Sequence, residues 1–364
     1  MDRKSFLQHI GSTALGLAGG SRLTDVLGSY SGSGMNHPKS KNWAWTTDVE
    51  GTIDDWKYRL EKLKKAGFDA ILPQERFDTI IPAAEETGME VHAWLVSLQR
   101  GSDQQVQKEH PEWFMVNRNG ESSLTNPAYV DYYKWLCPSR EPVHEYLKQE
   151  VNELLSYSEI QSIHLDYIRY PDVILPISLQ PKYDIVQDKE YPQYDYCYCS
   201  VCRKRFEERY GLDPLELEDS AHSTEWKQYR YDQVTTLVNK MALTVHKQQR
   251  DLTAAVFPTP DIARSLVRQN WPDWDLDAVL PMMYHNFYDK DISWIAEAVK
   301  ESRAELPKTT DLYSGLFVPA MDETTLAQAF ESAMKSGASG ISLFTDTAMK
   351  EPYWANLRRV IQKG

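Results

Sequence analysis

The chain has 364 residues, a formal charge of −13 and a pI near 5.2. Nucleic-acid binders need clustered Lys and Arg to meet phosphates, so this balance excludes DNA and RNA as expected partners. Aromatic residues make up 12% of the chain, with 11 Trp and 21 Tyr, which gives flat apolar surface on which pyranose rings could stack as well as bulk for a large core.

Residues 1–36 read as an export signal and linker. "MDRKSFLQHIGSTALGLAGG" opens with Arg3 and Lys4, then Phe6, Leu7 and a short Gly-rich apolar run, a pattern resembling a twin-arginine signal with Lys in the second place. "SRLTDVLGSYSGSGMN" continues as a Gly/Ser linker. The expected location is therefore periplasmic or extracellular. No later segment is apolar enough to span a membrane.

From Trp43 onward, β-rich runs alternate with amphipathic helical patterns over residues 37–364. The runs "NWAWT", "FDAILPQ", "EVHAWLVS", "SIHLDYIRYP", "LTAAVFPTP", "AVLPMMYHN", "LYSGLFVP" and "GISLFTD" predict eight strands. After the first, Thr52 and Asp55 form a capping box ahead of Ile53, Trp56, Leu60 and Leu63, and Gly67 ends the helix. "RFDTIIPAAEETG" is a second helix containing Pro82. Ser139 and Pro142 start another, with Val143, Tyr146, Leu147, Val151 and Leu154 on one face. Further helices are expected at 223–249, 291–304, 323–336 and 351–362. Eight strand–helix units predict an α/β fold, the (β/α)8 TIM barrel, and no Gly-rich phosphate loop follows strand one to favour an open doubly wound sheet.

In such a barrel all strand tips meet at one mouth. Asp166 ends the fourth strand, where a buried carboxylate needs a partner or a task; Arg169 or a Tyr hydroxyl is its expected partner. The other tips carry Trp45 and Asp48, Gln74 and Glu75, Trp94, Asp261, then Tyr284, His285 and Asn286, Phe317 and Asp346. Trp45, Trp94, Tyr170 and Tyr284 are candidate stacking surfaces, and Gln74, Arg169, His285 and Asn286 candidate partners for sugar hydroxyls.

"SIHLDYIRYP", with "LDAVLPMMYHNFY" and "GLFVP", resembles the glycosyl hydrolase-like family 10 over roughly residues 40–360. The resemblance implies a (β/α)8 fold and a catalytic Asp on strand four, at Asp166. Glycosidic cleavage ordinarily uses two carboxyl groups in different environments, one donating a proton and one acting as nucleophile or base. Asp166 is expected to be the nucleophile or base. The proton donor is expected to be Asp261 on the neighbouring strand, with Asp346, Glu75 and Asp172 as rivals.

Between strand four and its helix runs a long segment, residues 171–222, with Cys197, Cys199 and Cys202; Cys137 is the fourth and last cysteine. A CxCxxC cluster with a distant Cys suits a tetrahedral thiolate site for structural zinc, with a pair of disulfides as the alternative in an exported protein. The four positions are similar to the zinc site of family 42 β-galactosidases. The expected activity is hydrolysis of a glycosidic bond in an oligo- or polysaccharide. The alternatives are a catalytically silent carbohydrate-binding barrel and, in another class, a lyase or an amidohydrolase drawing on His92, His164 and His285.

Overall fold

The computed structural model describes residues 42–362; the expected signal and linker, residues 1–36, lie outside them. In chain order the elements are β1 (Asn42–Trp45), α1 (Ile53–Lys65), β2 (Ala70–Leu72), α2 (Phe77–Thr87), β3 (Glu90–Val96), α3 (Gln104–Glu109), α4 (Glu141–Leu154), β4 (Ile160–Asp166), α5 (Ser200–Tyr210), α6 (Thr224–Lys247), β5 (Asp251–Val256), α7 (Pro260–Val267), β6 (Ala278–Pro281), α8 (Trp294–Glu305), β7 (Asp311–Phe317), α9 (Glu323–Lys335), β8 (Gly340–Phe344) and α10 (Glu351–Ile361). The eight strands pair in sequence order and β8 pairs with β1, all parallel, so the sheet is a closed barrel.

Local chemistry sets the helix starts. Thr52 accepts from the N–H of Asp55, whose carboxylate accepts from Thr52 in return, a capping box that stabilises a helix start by about 1 kcal/mol. Trp56, Leu60 and Leu63 of α1 then bury against the barrel, each apolar side chain contributing about 1.5–3 kcal/mol. α2 tolerates Pro82 because Phe77, Ile80, Ile81, Ala83 and Ala84 all bury on its inner side. α4 begins two residues later than Ser139 predicts, at Glu141. The hydroxyl of Ser139 instead lies 3.2 Å from Cys202 Sγ.

Two apolar layers result. One lies between strands and helices; the other fills the barrel with Trp43, Trp45, Leu72, Trp94, Leu280 and Tyr313 as its large members and Ala70, Ala255 and Ala278 as its small ones. Large side chains on some strands face small ones on others, the alternation that close packing inside a barrel needs. Trp43 stacks on Tyr313 at 4.5 Å and lies 4.0 Å from the His92 ring.

Two strands end sooner than their sequence patterns suggest. Tyr167 adopts φ 51°, a left-handed conformation that stops β4 at Asp166 and turns Tyr167 to Pro171 out of the sheet. β6 stops at Pro281, so Tyr284, His285 and Asn286 stand in a turn above it. Residues 171–222 are not one open loop: they contain α5 and several short 3-10 turns. A buried ion pair between Asp195 and Arg230 ties them to α6, and the Trp226 indole donates to the Tyr198 hydroxyl at 3.0 Å.

Candidate functional site

β3 and β4 form a long ladder in which Trp94 lies beside His164 and Val96 beside Asp166. Alternation then turns Trp94, His164 and Asp166 to the barrel interior, with Asp166 uppermost. The Trp94 indole N–H donates to Asp166 Oδ2 at 3.0 Å and the Tyr167 backbone N–H donates to Oδ1 at 2.7 Å. Both carboxylate oxygens are therefore held. The left-handed turn at Tyr167 aims its N–H back at the carboxylate, and its own carbonyl and that of Asp166 accept from Leu98 and Ser97. A strained residue fixed from several sides at a strand tip is a common feature of functional sites.

Asp166 is partly exposed. Burial pushes its carboxyl above the usual range, against the two N–H donors and the more distant Arg169, which favour the ionised form. Around it stand Trp94, Phe344, Tyr284 and Phe317: Trp94 meets Phe344 edge-on at 6.4 Å, and Tyr284 packs on Phe317 at 5.2 Å and Phe344 at 6.2 Å.

Several expected partners stand elsewhere. Arg169 does not pair with Asp166; its Nη1 is 2.9 Å from Asp172 Oδ2 and its Nη2 donates to the Tyr133 hydroxyl at 3.0 Å. Tyr133 in turn donates to Asp172, and the guanidinium lies over Trp135, Tyr167 and Phe257. Tyr170 is 1% exposed and faces the cysteines rather than the mouth. Trp45 is 2% exposed and packs on His164 and Phe344, so its faces are taken by the barrel and a sugar ring has no access to them. Tyr284 and His285 are buried, Gln74 is exposed, and the buried polar atoms His285 Nδ1 and Asn286 Oδ1 have no partner among the described residues.

The expected proton donors differ in setting. Asp261 lies in the first turn of α7, its side chain 82% exposed and 3.5 Å from Arg264, while Thr259 caps that helix. Asp346 is gripped by Arg59, whose Nη2 donates to Oδ1 at 2.6 Å and whose Nε bonds Oδ2. Asp172 is committed to Arg169. Glu75, three residues beyond the end of β2 at Leu72, is exposed and has no arginine or lysine partner among the described residues.

His92 bonds Ser162 and His164 bonds Thr253 inside the barrel. They do not gather with His285 as ligands. The metal-competent cluster found among the described residues is Cys137, Cys197, Cys199 and Cys202, all buried, with their sulfurs within 4.8 Å of one another. Cys137 Sγ is 3.8 Å from Cys199 and 3.4 Å from Cys202. A tetrahedron with metal–sulfur bonds of about 2.3 Å has edges of about 3.8 Å, whereas a disulfide needs about 2.05 Å. All four thiols are free, and the set fits one tetrahedral metal ion. The N–H of Val116 points at Cys197 Sγ at 3.5 Å, a contact suited to a thiolate.

The segment 127–135 was not singled out as part of the site by its sequence. Its "PAYVDYYKW" holds Tyr133 and Trp135, which lock Arg169 and Asp172 behind Tyr167; the density of Tyr and Trp was the available signal.

A carboxylate at the tip of the fourth strand, held by an indole and opening into the aromatic mouth of a closed eight-stranded parallel barrel, places this protein among the (β/α)8-barrel glycosidases. The chain belongs to the family described as Glycosyl hydrolase-like 10, whose model matches residues 57–330. Among solved structures, the β-amylase catalytic domain from Paenibacillus polymyxa is similar at 12% identity and TM-score 0.59, covering 89% of this chain and 98% of that one. β-Galactosidase from the psychrophilic Marinomonas ef1 is similar at 10% identity and TM-score 0.64, covering 89% of this chain and 59% of that one. The enzyme from Bacillus circulans sp. alkalophilus, also a β-galactosidase, is similar at 12% identity and TM-score 0.57, covering 90% and 56%. At these identities the likeness is one of fold. No curated protein matches the sequence.

Proposed function

We propose that this barrel hydrolyses a glycosidic bond in an oligo- or polysaccharide with Asp166 as nucleophile or base. The observation that carries this reading is the pair of N–H donors, from Trp94 and Tyr167, on the two oxygens of a partly exposed, inward-facing carboxylate. Donors on both oxygens suit the ionised form, and a pKa above the ordinary range makes that form a better base when it attacks or activates water.

The second carboxyl in this reading is Glu75 ahead of Asp261, because Asp172 and Asp346 are neutralised by arginines. A substrate laid over Glu75 would take it out of water, the setting in which a carboxyl can serve as a proton donor. Loss of a proton donor is least damaging when the leaving group needs no proton. The Glu75→Gln and Asp261→Asn proteins are therefore compared on a natural glycan and on a nitrophenyl glycoside; the donor's variant should lose far more on the glycan.

The deciding experiment is a glycan panel offered to wild type and Asp166→Asn. Wild type should release products from some glycan and the variant should not, with a loss of about 10³-fold or more. Glycan binding without release by wild type would establish the second reading, a carbohydrate-binding barrel, which the commitment of Asp172 and Asp346 to arginines favours.

The four thiolates in this reading hold a structural zinc. A tetrahedral set of sulfurs leaves no position for water, so the metal would brace the residue 171–222 segment against Cys137 rather than join the chemistry. The same reading takes residues 1–36 as an export signal and linker ahead of one barrel domain, with action outside the cytoplasm. No helix among the described residues is long and apolar enough to cross a membrane.

A further inference from the structure

Tyr132 is 58% exposed on a loop that is otherwise tied down. Single exposed apolar groups are ordinary on protein surfaces; what sets Tyr132 apart is that its backbone is held from several sides. Its carbonyl accepts from the Gln99 side-chain amide and from the N–H of Lys134 at 2.9 Å. The same carbonyl lies so close to Gly101 that a Cβ there would overlap it. One residue on, the Tyr133 hydroxyl is fastened to Asp172 and Arg169.

The fixed tyrosine stands at the outer end of a row of rings. Tyr167, the neighbour of Asp166, lies 5.7 Å from Trp135; Trp135 meets Tyr133 edge-on at 5.0 Å; Tyr133 meets Tyr132 edge-on at 6.5 Å. Each ring supports the next, so the row carries the position of the Asp166 loop out to a solvent-facing aromatic face. A sugar unit binds such a face through its C–H surface, and a ring whose place is set beforehand pays little ordering entropy on binding.

We propose that Tyr132 is a remote glycan-binding platform, taking a sugar unit of a chain that extends from Asp166, so that the substrate is a polymer rather than a free disaccharide. This rests on the carbohydrate reading of the Asp166 site. Gly101 and Gln99 are positioning residues for it. Their work is to hold the Tyr132 carbonyl, and neither needs to touch the glycan.

The test uses Asp166→Asn as a non-hydrolysing parent in affinity electrophoresis through gels containing mixed-linkage β-glucan, arabinoxylan, galactomannan, glycol chitin or starch. The parent should be retarded by at least one polymer. Adding Tyr132→Ala should weaken that affinity about three- to tenfold, Tyr132→Trp should preserve it, and Gly101→Ala should weaken it with Tyr132 still in place. Matched far-UV spectra and melting temperatures show that each variant is folded. Equal retardation of parent and Tyr132→Ala overturns the platform, and so does a parent retarded by none of the five. Hydrolysis of nitrophenyl glycosides by wild type, measured apart from the gels, stands or falls with the role of Asp166 alone.

Discussion

Trp94 on β3 donates its indole N–H to Asp166 Oδ2 on β4 at 3.0 Å, although 72 residues separate them. The contact follows from register: Trp94 pairs with His164, and Asp166 is the next inward residue beyond it. Burial raises the Asp166 pKa, and the indole opposes that shift by stabilising the ionised form.

Trp94→Phe keeps a ring and deletes the donor, so the Asp166 pKa should rise further. If Asp166 works ionised, activity is lost as pH falls through this raised pKa, and the acidic limb of the kcat/KM profile should move to higher pH in the variant. At a pH on that limb the rate should drop about tenfold, the worth of one hydrogen bond to a charged group. A limb on the alkaline side that moves instead would reassign Asp166 as the proton donor.

Arg169 and Asp172 are both almost fully buried. Arg169→Met leaves a desolvated carboxylate that still accepts from Tyr133, and should cost about 3–5 kcal/mol of stability in urea titration. Arg169→Met with Asp172→Asn should cost less than the sum of the two single changes by at least about 1 kcal/mol. Were Arg169 the counter-ion of Asp166, the double variant would show no such coupling, and the pH profile would shift instead.

How the sequence foreshadowed these pairings differs with the range of the contact. Strand–helix alternation exposes the barrel because each unit is built locally, and the position of Asp166 at a strand tip follows from the same period. The four cysteines are legible as a set because three lie within six residues. Arg169 was misread because spacing along one strand says nothing of a partner brought in by another loop; Tyr133 and Asp172 claim it from outside β4. Trp45 and Tyr170 were misread as ligand surfaces because a sequence shows an aromatic residue but not which of its faces the fold has already covered. The pairing of Asp346, a rival candidate for the proton donor, is hidden for the same reason, since Arg59 lies 287 positions away.

That pair joins the first strand–helix unit to the last. Asp346 lies just past β8, Arg59 on α1, and Arg59 also bonds the Asp48 carbonyl past β1. Burial raises the Asp346 carboxyl and Arg59 opposes it. Asp346→Asn should lower stability by about 1–3 kcal/mol, less than a fully buried pair, because Arg59 keeps some access to water. A group with a raised folded pKa contributes fully below the unfolded value and loses that contribution as pH rises through the folded one, so the deficit should be widest in acid and narrow across that window. Denaturant midpoints at several pH values measure this, while a large loss of kcat with unchanged stability would return Asp346 to the catalytic candidates.

The cysteine cluster predicts a metal content. Four buried sulfurs spaced like the corners of a metal tetrahedron would repel one another as thiolates without a cation among them, so the protein as purified without chelator should carry about one zinc per chain. Unfolding in the presence of a colorimetric chelator should release it in step with loss of the folded signal. Cys137→Ser should lower both the metal content and the melting temperature, because Cys137 anchors the cluster to the loop before α4. Thiol titration in denaturant should then find four reactive groups in the metal-depleted wild type. Finding none, and no metal, would mean that the sulfurs pair as disulfides and that the residue 171–222 segment is held by covalent bonds instead.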